Sequence, residues 1–172
     1  IKNSAATNLA DLLQQEAGID IRRRGTSGMQ ADLYIRGGSF DQTLMLIDGI
    51  KMDDAQTGHH TMNAALPMEV IERIEIIKGS AARVFGQNAF TGAINIVTKK
   101  ATENTVSANL EAGSYNQLNS SVTVGSTLEN SSHIIHVSKM TSDGYRYNTD
   151  YDNSNYFIKS TFNKNAQAID MI

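Results

Sequence analysis

The second half of the chain alternates apolar and polar residues with a period of two, and this feature limits the fold more than any other. Such alternation is typical of antiparallel β-strands that have one apolar face and one polar face. The connections between the segments are hairpin-like, except for the longer stretch 141–154. The pattern predicts about four successive strands, in residues 105–115, 117–128, 133–140 and 155–163.

Two kinds of protein share this pattern. An ordinary half-exposed sheet has it, and so does the wall of a membrane barrel, whose strands turn apolar side chains to lipid and polar side chains to the lumen. About four strands are too few to close on themselves. The sheet therefore has an unpaired edge, or the chain is a fragment of a larger protein.

Residues before about 100 mix a helical pattern with short strands. Leu9, Leu12 and Leu13 share one helical face, and Thr7 or Asn8 is the candidate N-cap. Short helical turns are expected at 67–72 and 80–86. Strands are expected at 19–24, 32–37, 43–52, 73–79 and 92–100.

Asp48-Gly49 divides the third of these strands and predicts a hairpin. Between residues 76 and 97 the chain is rich in Gly, Ala and Asn, which indicates that its backbone approaches another group closely. These features together predict a small α+β domain with a mixed sheet and short helices.

Composition and motifs exclude several function classes. With 15 basic and 18 acidic residues the net charge is −3, which does not fit a general nucleic-acid binder, and Arg22-Arg23-Arg24 is too small a basic footprint. The absence of cysteine excludes disulfides, thiol catalysis and Cys-ligated zinc. No apolar run approaches the roughly 18 residues of a membrane-spanning helix. Neither a P-loop, a dinucleotide fingerprint nor a nucleophile elbow occurs in the sequence.

A series of short motifs resembles the plug domain of TonB-dependent outer-membrane receptors, in matching order and spacing from about residue 8 to residue 100. Residues 113–126 and 142–162 resemble the first strands and the first long loop of the receptor barrel. Among subfamilies, the chain looks most like the vitamin B12 receptors and their siderophore-receptor relatives. The motifs that carry the resemblance are Ile35-Arg36-Gly37, Leu46-Ile47-Asp48-Gly49, Ile71-Glu72-Arg73-Ile74-Glu75, Lys78-Gly79, Phe85-Gly86 and Gly92-Ala93-Ile94-Asn95-Ile96.

The resemblance implies an α+β plug domain at residues 1–100, followed at 101–172 by the first antiparallel strands of an incomplete 22-stranded transmembrane barrel. The small residues of 80–93 would then pack inside a narrow lumen. The chain departs from the family at Lys78-Gly79-Ser80, where Arg-Gly-Pro is usual, and at Phe85-Gly86, where Tyr-Gly is usual. Ile1 lies close to the first helix, so the TonB box that precedes the plug is expected to be absent and the chain to be a fragment.

The implied function is transport across the outer membrane of a Gram-negative bacterium. The receptor would bind a metal chelate of the cobalamin or ferric siderophore class and pass it to the periplasm, with energy from TonB and its inner-membrane complex. The plug would gate the barrel. No catalytic residue, cofactor, intrinsic metal or nucleic-acid partner is expected.

Two plug loops are the candidate ligand site, because in relatives the loop after the Ile-Asp-Gly hairpin faces outward and touches the incoming ligand. A plain solvated loop and, less favoured, a metal site are the alternatives. Adjacent histidines on an extended loop point in opposite directions, which opposes their sharing one metal. The candidate contacts are Asp53, Asp54, Gln56, Thr57, His59 and His60, joined by Gln87 and Asn88 of the next loop.

Arg36 and Lys78 are the candidate plug–barrel contacts, since basic residues at these positions in the family pair with glutamates of the barrel wall. A buried cation needs a carboxylate partner. The alternatives are that both are surface charges, which is favoured for Lys78, or that Arg36 meets an internal acid such as Glu75.

Three weaker hypotheses remain. One is a secreted soluble β-rich binding or adhesion module built from the same strands. Another is a hydrolase that uses Asp53, Asp54 and His59. The third is a calcium site formed by Asp143, Asp150 and Asp152, against which a polar exposed loop is the simpler interpretation.

Overall fold

The computed structural model describes residues 6, 8–25, 30–52, 62, 66–80, 82–164 and 167–172. The chain divides into two compact units, Ile1–Thr98 and Lys99–Ile172. The first is a mixed α+β unit and the second is an antiparallel sheet, as the sequence predicts.

The first unit begins with the predicted helix, α1, at Leu9–Gln14. Asn8 is the N-cap, and its side chain accepts a hydrogen bond from the backbone N–H of Asp11 at 2.9 Å. A two-stranded antiparallel sheet follows, made of β1 (Ile19–Arg23) and β2 (Ala31–Ile35).

A four-stranded mixed sheet forms the centre of the first unit, with strand order β4-β3-β6-β5. The predicted hairpin joins β3 to β4, and its turn residues Asp48 and Gly49 both have positive φ, 48° and 81°. β3 and β6 run parallel, and the other pairs are antiparallel. The strands are β3 (Thr43–Ile47), β4 (Ile50–Lys51), β5 (Ile71–Lys78) and β6 (Gly92–Thr98).

Short helical elements connect these strands. The predicted turns are a 3₁₀ helix at Met68–Val70 and the helix α2 at Ala82–Phe85. A 3₁₀ helix at Phe40–Gln42, which the sequence analysis did not anticipate, leads into β3.

Both faces of the central strands β3 and β6 are buried. One face packs on α1 and on the β1–β2 sheet through residues such as Met45, Ile94 and Ile96. The other face packs Leu44, Leu46 and Ala93 against the segment that carries Ala89 and Phe85. Burial on both faces explains why β3 is a continuous apolar run rather than an alternating one.

Gly92 accounts for part of the small-residue stretch in 76–97. A Cβ at this position would lie 2.5 Å from the backbone oxygen of Ile77 and 2.9 Å from Cδ1 of Ile35. Ala89 and Ala93, both at most 1% exposed, fill similarly narrow space. Close packing within the first unit is therefore one reason for the small side chains.

The second unit is a five-stranded antiparallel meander in which each strand pairs with its neighbour in sequence. The alternation predicts about four strands, and the structure adds a fifth, β11. This strand is short and has only two apolar residues on the exposed face, Ile169 and Met171. The strands are β7 (Thr105–Gly113), β8 (Gln117–Leu128), β9 (Ser131–Ser142), β10 (Tyr151–Lys164) and β11 (Gln167–Met171).

The register places most of the apolar positions of the five strands on one face of this sheet, whereas Ile134 and Phe157 are buried on the other. Val106 pairs with Val124, which pairs with Ile135, which in turn pairs with Ile158. This face is exposed: Leu110, for example, is 72% accessible. The opposite face is mostly polar and contains buried groups, among them Lys159 at 2% exposure. Among the described residues, no helix is long and apolar enough to cross a membrane.

Candidate functional site

Six of the candidate ligand contacts, Asp53, Asp54, Gln56, Thr57, His59 and His60, lie outside the described residues. The segment that holds them begins after Met52, whose backbone N–H donates to the carbonyl of Met45 at 2.9 Å. The assignment of these six residues stays a prediction.

Gln87 and Asn88 lie in the turn between α2 and β6. Gly86 and Asn88 have positive φ, 80° and 67°, and Gln87 is exposed at the tip. A Cβ at Gly86 would lie 3.4 Å from Nζ of Lys51, so this turn lies beside the end of β4. The structure thus brings the second candidate loop close to the strand from which the first one leaves.

Arg36 directly follows β2 and has a positive φ of 51°, and its backbone N–H donates to the carbonyl of Gly18 at 2.9 Å. Its side chain lies beside Gly18 and Gly79. Within the described part of the chain its guanidinium makes no ion pair.

The alternative that Arg36 meets Glu75 is wrong. Both carboxylate oxygens of Glu75 have other partners: Arg73 lies at 2.7 Å from one, and the side-chain amide of Asn95 donates to the other at 2.9 Å.

Lys78 reaches the same corner of the first unit as Arg36. Its Nζ donates to the carbonyl of Ala17 at 2.6 Å and lies 3.7 Å from a carboxylate oxygen of Glu16. Arg36 and Lys78 therefore both contact residues 16–18: Lys78 with its charged group, beside the half-exposed carboxylate of Glu16, and Arg36 with its backbone N–H and Cγ. This corner holds more positive than negative charge, which suits an additional carboxylate partner.

A ladder of polar side chains crosses the central sheet and was missed by the sequence analysis. The backbone N–H of Gly49 donates to Oδ1 of Asn95 at 3.0 Å, and Asn95 in turn donates to Glu75. Beside it, the carboxylate of Asp48 accepts from the backbone N–H of Thr98 at 2.8 Å and from its hydroxyl. The hairpin turn is thus tied to β6 and, through Glu75, to β5.

The hydrogen bond from Asn95 and the ion pair with Arg73 lower the pKa of Glu75 below its ordinary value of 4.5. The contacts of this ladder join residues 46 and 50 positions apart between the turn and β6, and 20 positions apart between β6 and β5. Only the Asp-Gly turn gives a signal in the sequence.

The described residues do not support the calcium hypothesis. Asp143 and Asp150 line an open depression of about 440 Å³ in the β9–β10 loop, but Asp152 belongs to β10 and pairs with Lys139 at 3.1 Å. No group of three or more metal-ligating His, Asp or Glu side chains exists in the part of the chain that the structure describes.

The family model described as TonB-dependent Receptor Plug Domain matches residues 1–93. The chain belongs to this family. The first unit is accordingly a plug domain, and the second has the fold of the strands that begin the receptor barrel. Proteins of this kind lie in the outer membrane of Gram-negative bacteria, which is the location of this chain.

Curated relatives include the vitamin B12 transporter BtuB of Vibrio cholerae serotype O1, which is 37% identical over 130 residues. The match covers 73% of this chain and 21% of that protein. BtuB of Vibrio vulnificus is 34% identical over 116 residues, covering 66% and 19%. The chain therefore spans about a fifth of the length of the curated relatives it matches.

Solved structures with the same fold include the pyoverdine outer-membrane receptor FpvA from Pseudomonas aeruginosa PAO1, bound to pyoverdine. The TM-score is 0.75 at 22% identity, with 92% of this chain and 23% of the receptor covered. The ferric-catecholate import receptor Fiu from Escherichia coli K12 gives a TM-score of 0.73 at 21% identity, over 96% and 23%. At these identities the likeness concerns the fold of the plug and the first barrel strands.

Proposed function

We propose that this chain is the plug and the first wall strands of an outer-membrane receptor that imports a metal chelate of the cobalamin or ferric siderophore class. TonB, with its inner-membrane complex, would supply the energy. Residues 1–100 would be the plug and 101–172 the start of the wall. The similarity to BtuB over 73% of the chain is the observation that favours this substrate class.

The two faces of the second unit support the proposal. A wall strand has to present apolar side chains to lipid and polar side chains to the lumen. The register of β7–β11 meets this requirement, because exposed Val, Leu and Ile residues line one face and polar residues the other. A soluble module would expose this apolar face to water, which family membership and the outer-membrane location also oppose.

Ligand binding is assigned to the two plug loops, through Asp53, Asp54, Gln56, Thr57, His59 and His60 in the first and Gln87 and Asn88 in the second. The proximity of the 86–88 turn to Lys51 supports a shared site. Bound ligand would favour a plug state that exposes its N-terminal segment to TonB. Such gating makes and breaks no bond, so the proposed receptor needs no catalytic residue.

Arg36 and Lys78 are assigned to hold the plug through carboxylates of the barrel wall. Both residues contact the segment 16–18, and its half-exposed Glu16 is a counter-charge for Lys78 alone, which supports this role. Loss of either cation would then weaken the seating of the plug rather than its fold.

The test is ligand binding to outer membranes that contain the intact receptor, with cyanocobalamin and a panel of ferric siderophores as probes. Saturable binding of one probe, weakened at least tenfold by His59→Ala with His60→Ala, is the expected result. The matched control is His133→Ala in the wall, which should bind normally. Binding of none of the probes would contradict the proposed substrate class.

A further inference from the structure

The segment 99–104, named the strap, contacts the edge strand β11 and the inner strand β8 of the wall sheet. Its Lys100 reaches β11, where Nζ lies 2.9 Å from one carboxylate oxygen of Asp170 and 3.1 Å from the other. Its Asn104 reaches β8, where the side-chain oxygen accepts from the backbone N–H of Thr127 at 2.7 Å. A segment that only connected two domains would need neither contact.

Gly125 of β8 lies beside the strap. A Cβ at Gly125 would lie 3.4 Å from Cβ of Ala101 and 3.4 Å from the carbonyl oxygen of Glu103. It would also lie 2.8 Å from Oγ1 of Thr105. The strap backbone therefore rests directly on β8 at this point.

Asn104 extends the β7–β8 ladder beyond its last pair, Thr105 with Gly125. Thr127 lies two residues further along β8, and its N–H is taken by a side-chain oxygen instead of a strand carbonyl. The strap is thus held at β8 by hydrogen bonding as well as by close packing.

The other end of the strap completes a charge cluster on the polar face of the wall. Lys159 of β10 is 2% exposed, and its Nζ lies 3.9 Å from the carboxylate of Asp170. Lys100 lies closer to the same carboxylate than Lys159 does. The carboxylate of Asp170 therefore lies near two cations, Lys159 of the wall and Lys100 of the strap. A buried cation such as Lys159 requires a carboxylate partner of this kind.

We propose that the strap is a fixed anchor: it stays fastened to the wall at β8 and β11 and is not a free linker between the two units. β6, the strand that ends at Thr98, is central in the plug sheet and is continuous with the strap. Through this chain connection the plug would stay tethered at Thr98 while its N-terminal segment responds to TonB, a consequence that rests on the proposed function.

The direct test is a disulfide across the contact, because this chain contributes no cysteine of its own. The first pair combines Ala101→Cys with Gly125→Cys in a Thr105→Ala background, which removes the contact with the Thr105 hydroxyl. The distance between the two Cβ atoms is then at the short end of the range found in disulfides, ~3.5–4.5 Å. The control pair is Ala101→Cys with Val124→Cys, whose second side chain points to the opposite face of β8. In the intact receptor, the first pair should crosslink almost fully under mild oxidation and the control pair should not. Equal crosslinking of both pairs, or of neither, would overturn the contact.

A second experiment tests the other contact of the strap, between Lys100 and Asp170, without a substitution at Gly125. Lys100→Ala should raise amide hydrogen exchange in 168–171 by about five- to tenfold, because Asp170 loses its closer cation. Glu103→Ala, on the same strap, is the control and should leave the exchange unchanged. An equal rate in both variants would contradict the charge contact.

Uptake measured with the oxidised first pair tests whether the anchor stays closed during transport. Uptake at the rate of the reduced receptor is expected. Loss of uptake on oxidation that a reductant restores would show that the strap must open, and it would overturn the fixed anchor. If the parent receptor without the cysteines also shows no uptake, that result would count against the proposed function. The crosslink would still test the contact between the strap and β8.

Discussion

The two units of the chain differ in where they place their apolar residues. The plug buries both faces of its central strands, so β3 is an unbroken apolar run. The wall sheet has most of its apolar residues on one face and leaves that face exposed. The plug therefore contains its own core, whereas the wall depends on an apolar environment outside it, which the outer membrane supplies.

The largest difference is expected for truncation of the core. Ile94→Ala in β6 removes a fully buried side chain and should destabilise the plug by about 2–5 kcal/mol. Leu110→Ala on the exposed face of β7 should change stability far less. Native-state hydrogen exchange of each unit measures both effects, and equal losses would break the comparison.

A charged substitution should have different effects on the two faces of the wall sheet. Leu110→Lys should destabilise the membrane-inserted wall by about 2–4 kcal/mol, because it places a cation in lipid. Asn109→Lys, one residue away on the polar face, is the matched control and should be tolerated. The fraction of receptor that resists urea in outer membranes reports the difference, and a reversed order would mean that the faces are assigned wrongly.

A smaller effect is expected at the plug hairpin. Asp48→Ala removes the acceptor for both groups of Thr98 and should cost about 1.5–3 kcal/mol. Asp48→Asn keeps one acceptor and tolerates the positive φ of the turn, so it should cost less. If both variants unfold at the same urea concentration, the contacts to Thr98 do not stabilise the hairpin.

The smallest effect concerns pH. Because the folded-state pKa of Glu75 is lowered, its contribution to plug stability is complete above its ordinary value of 4.5 and is lost as the pH falls through the lower folded value. Glu75→Gln should remove this part of the acid dependence and leave stability near pH 7 little changed, since the group is exposed. Parallel acid unfolding curves for the two proteins would contradict this role.

Local signals predicted most elements of both units. The leucine spacing with its Asn8 cap located α1, Asp48-Gly49 located the hairpin, and alternation located β7 to β10. These signals succeed because each depends on neighbouring residues alone.

Non-local pairing could not be predicted in the same way. The parallel pairing of β3 with β6 brings Asn95 to Gly49, and no local pattern marks it. The contacts of Lys100 with Asp170 join residues seventy positions apart. The plug motifs pointed to Arg36 and Lys78 only through the family resemblance, and their shared corner became visible in the structure.

The most direct test of the account is the environment of the two faces of β7 in the intact receptor. A nitroxide would be attached to a cysteine introduced by Leu110→Cys or, separately, by Asn109→Cys, in an otherwise cysteine-free receptor in lipid bilayers. Collision with oxygen, which partitions into lipid, should dominate at position 110, and collision with a water-soluble nickel chelate should be relatively greater at position 109. Equal or reversed accessibilities would show that the exposed apolar face does not meet lipid, which would contradict the assignment of this sheet to a barrel wall.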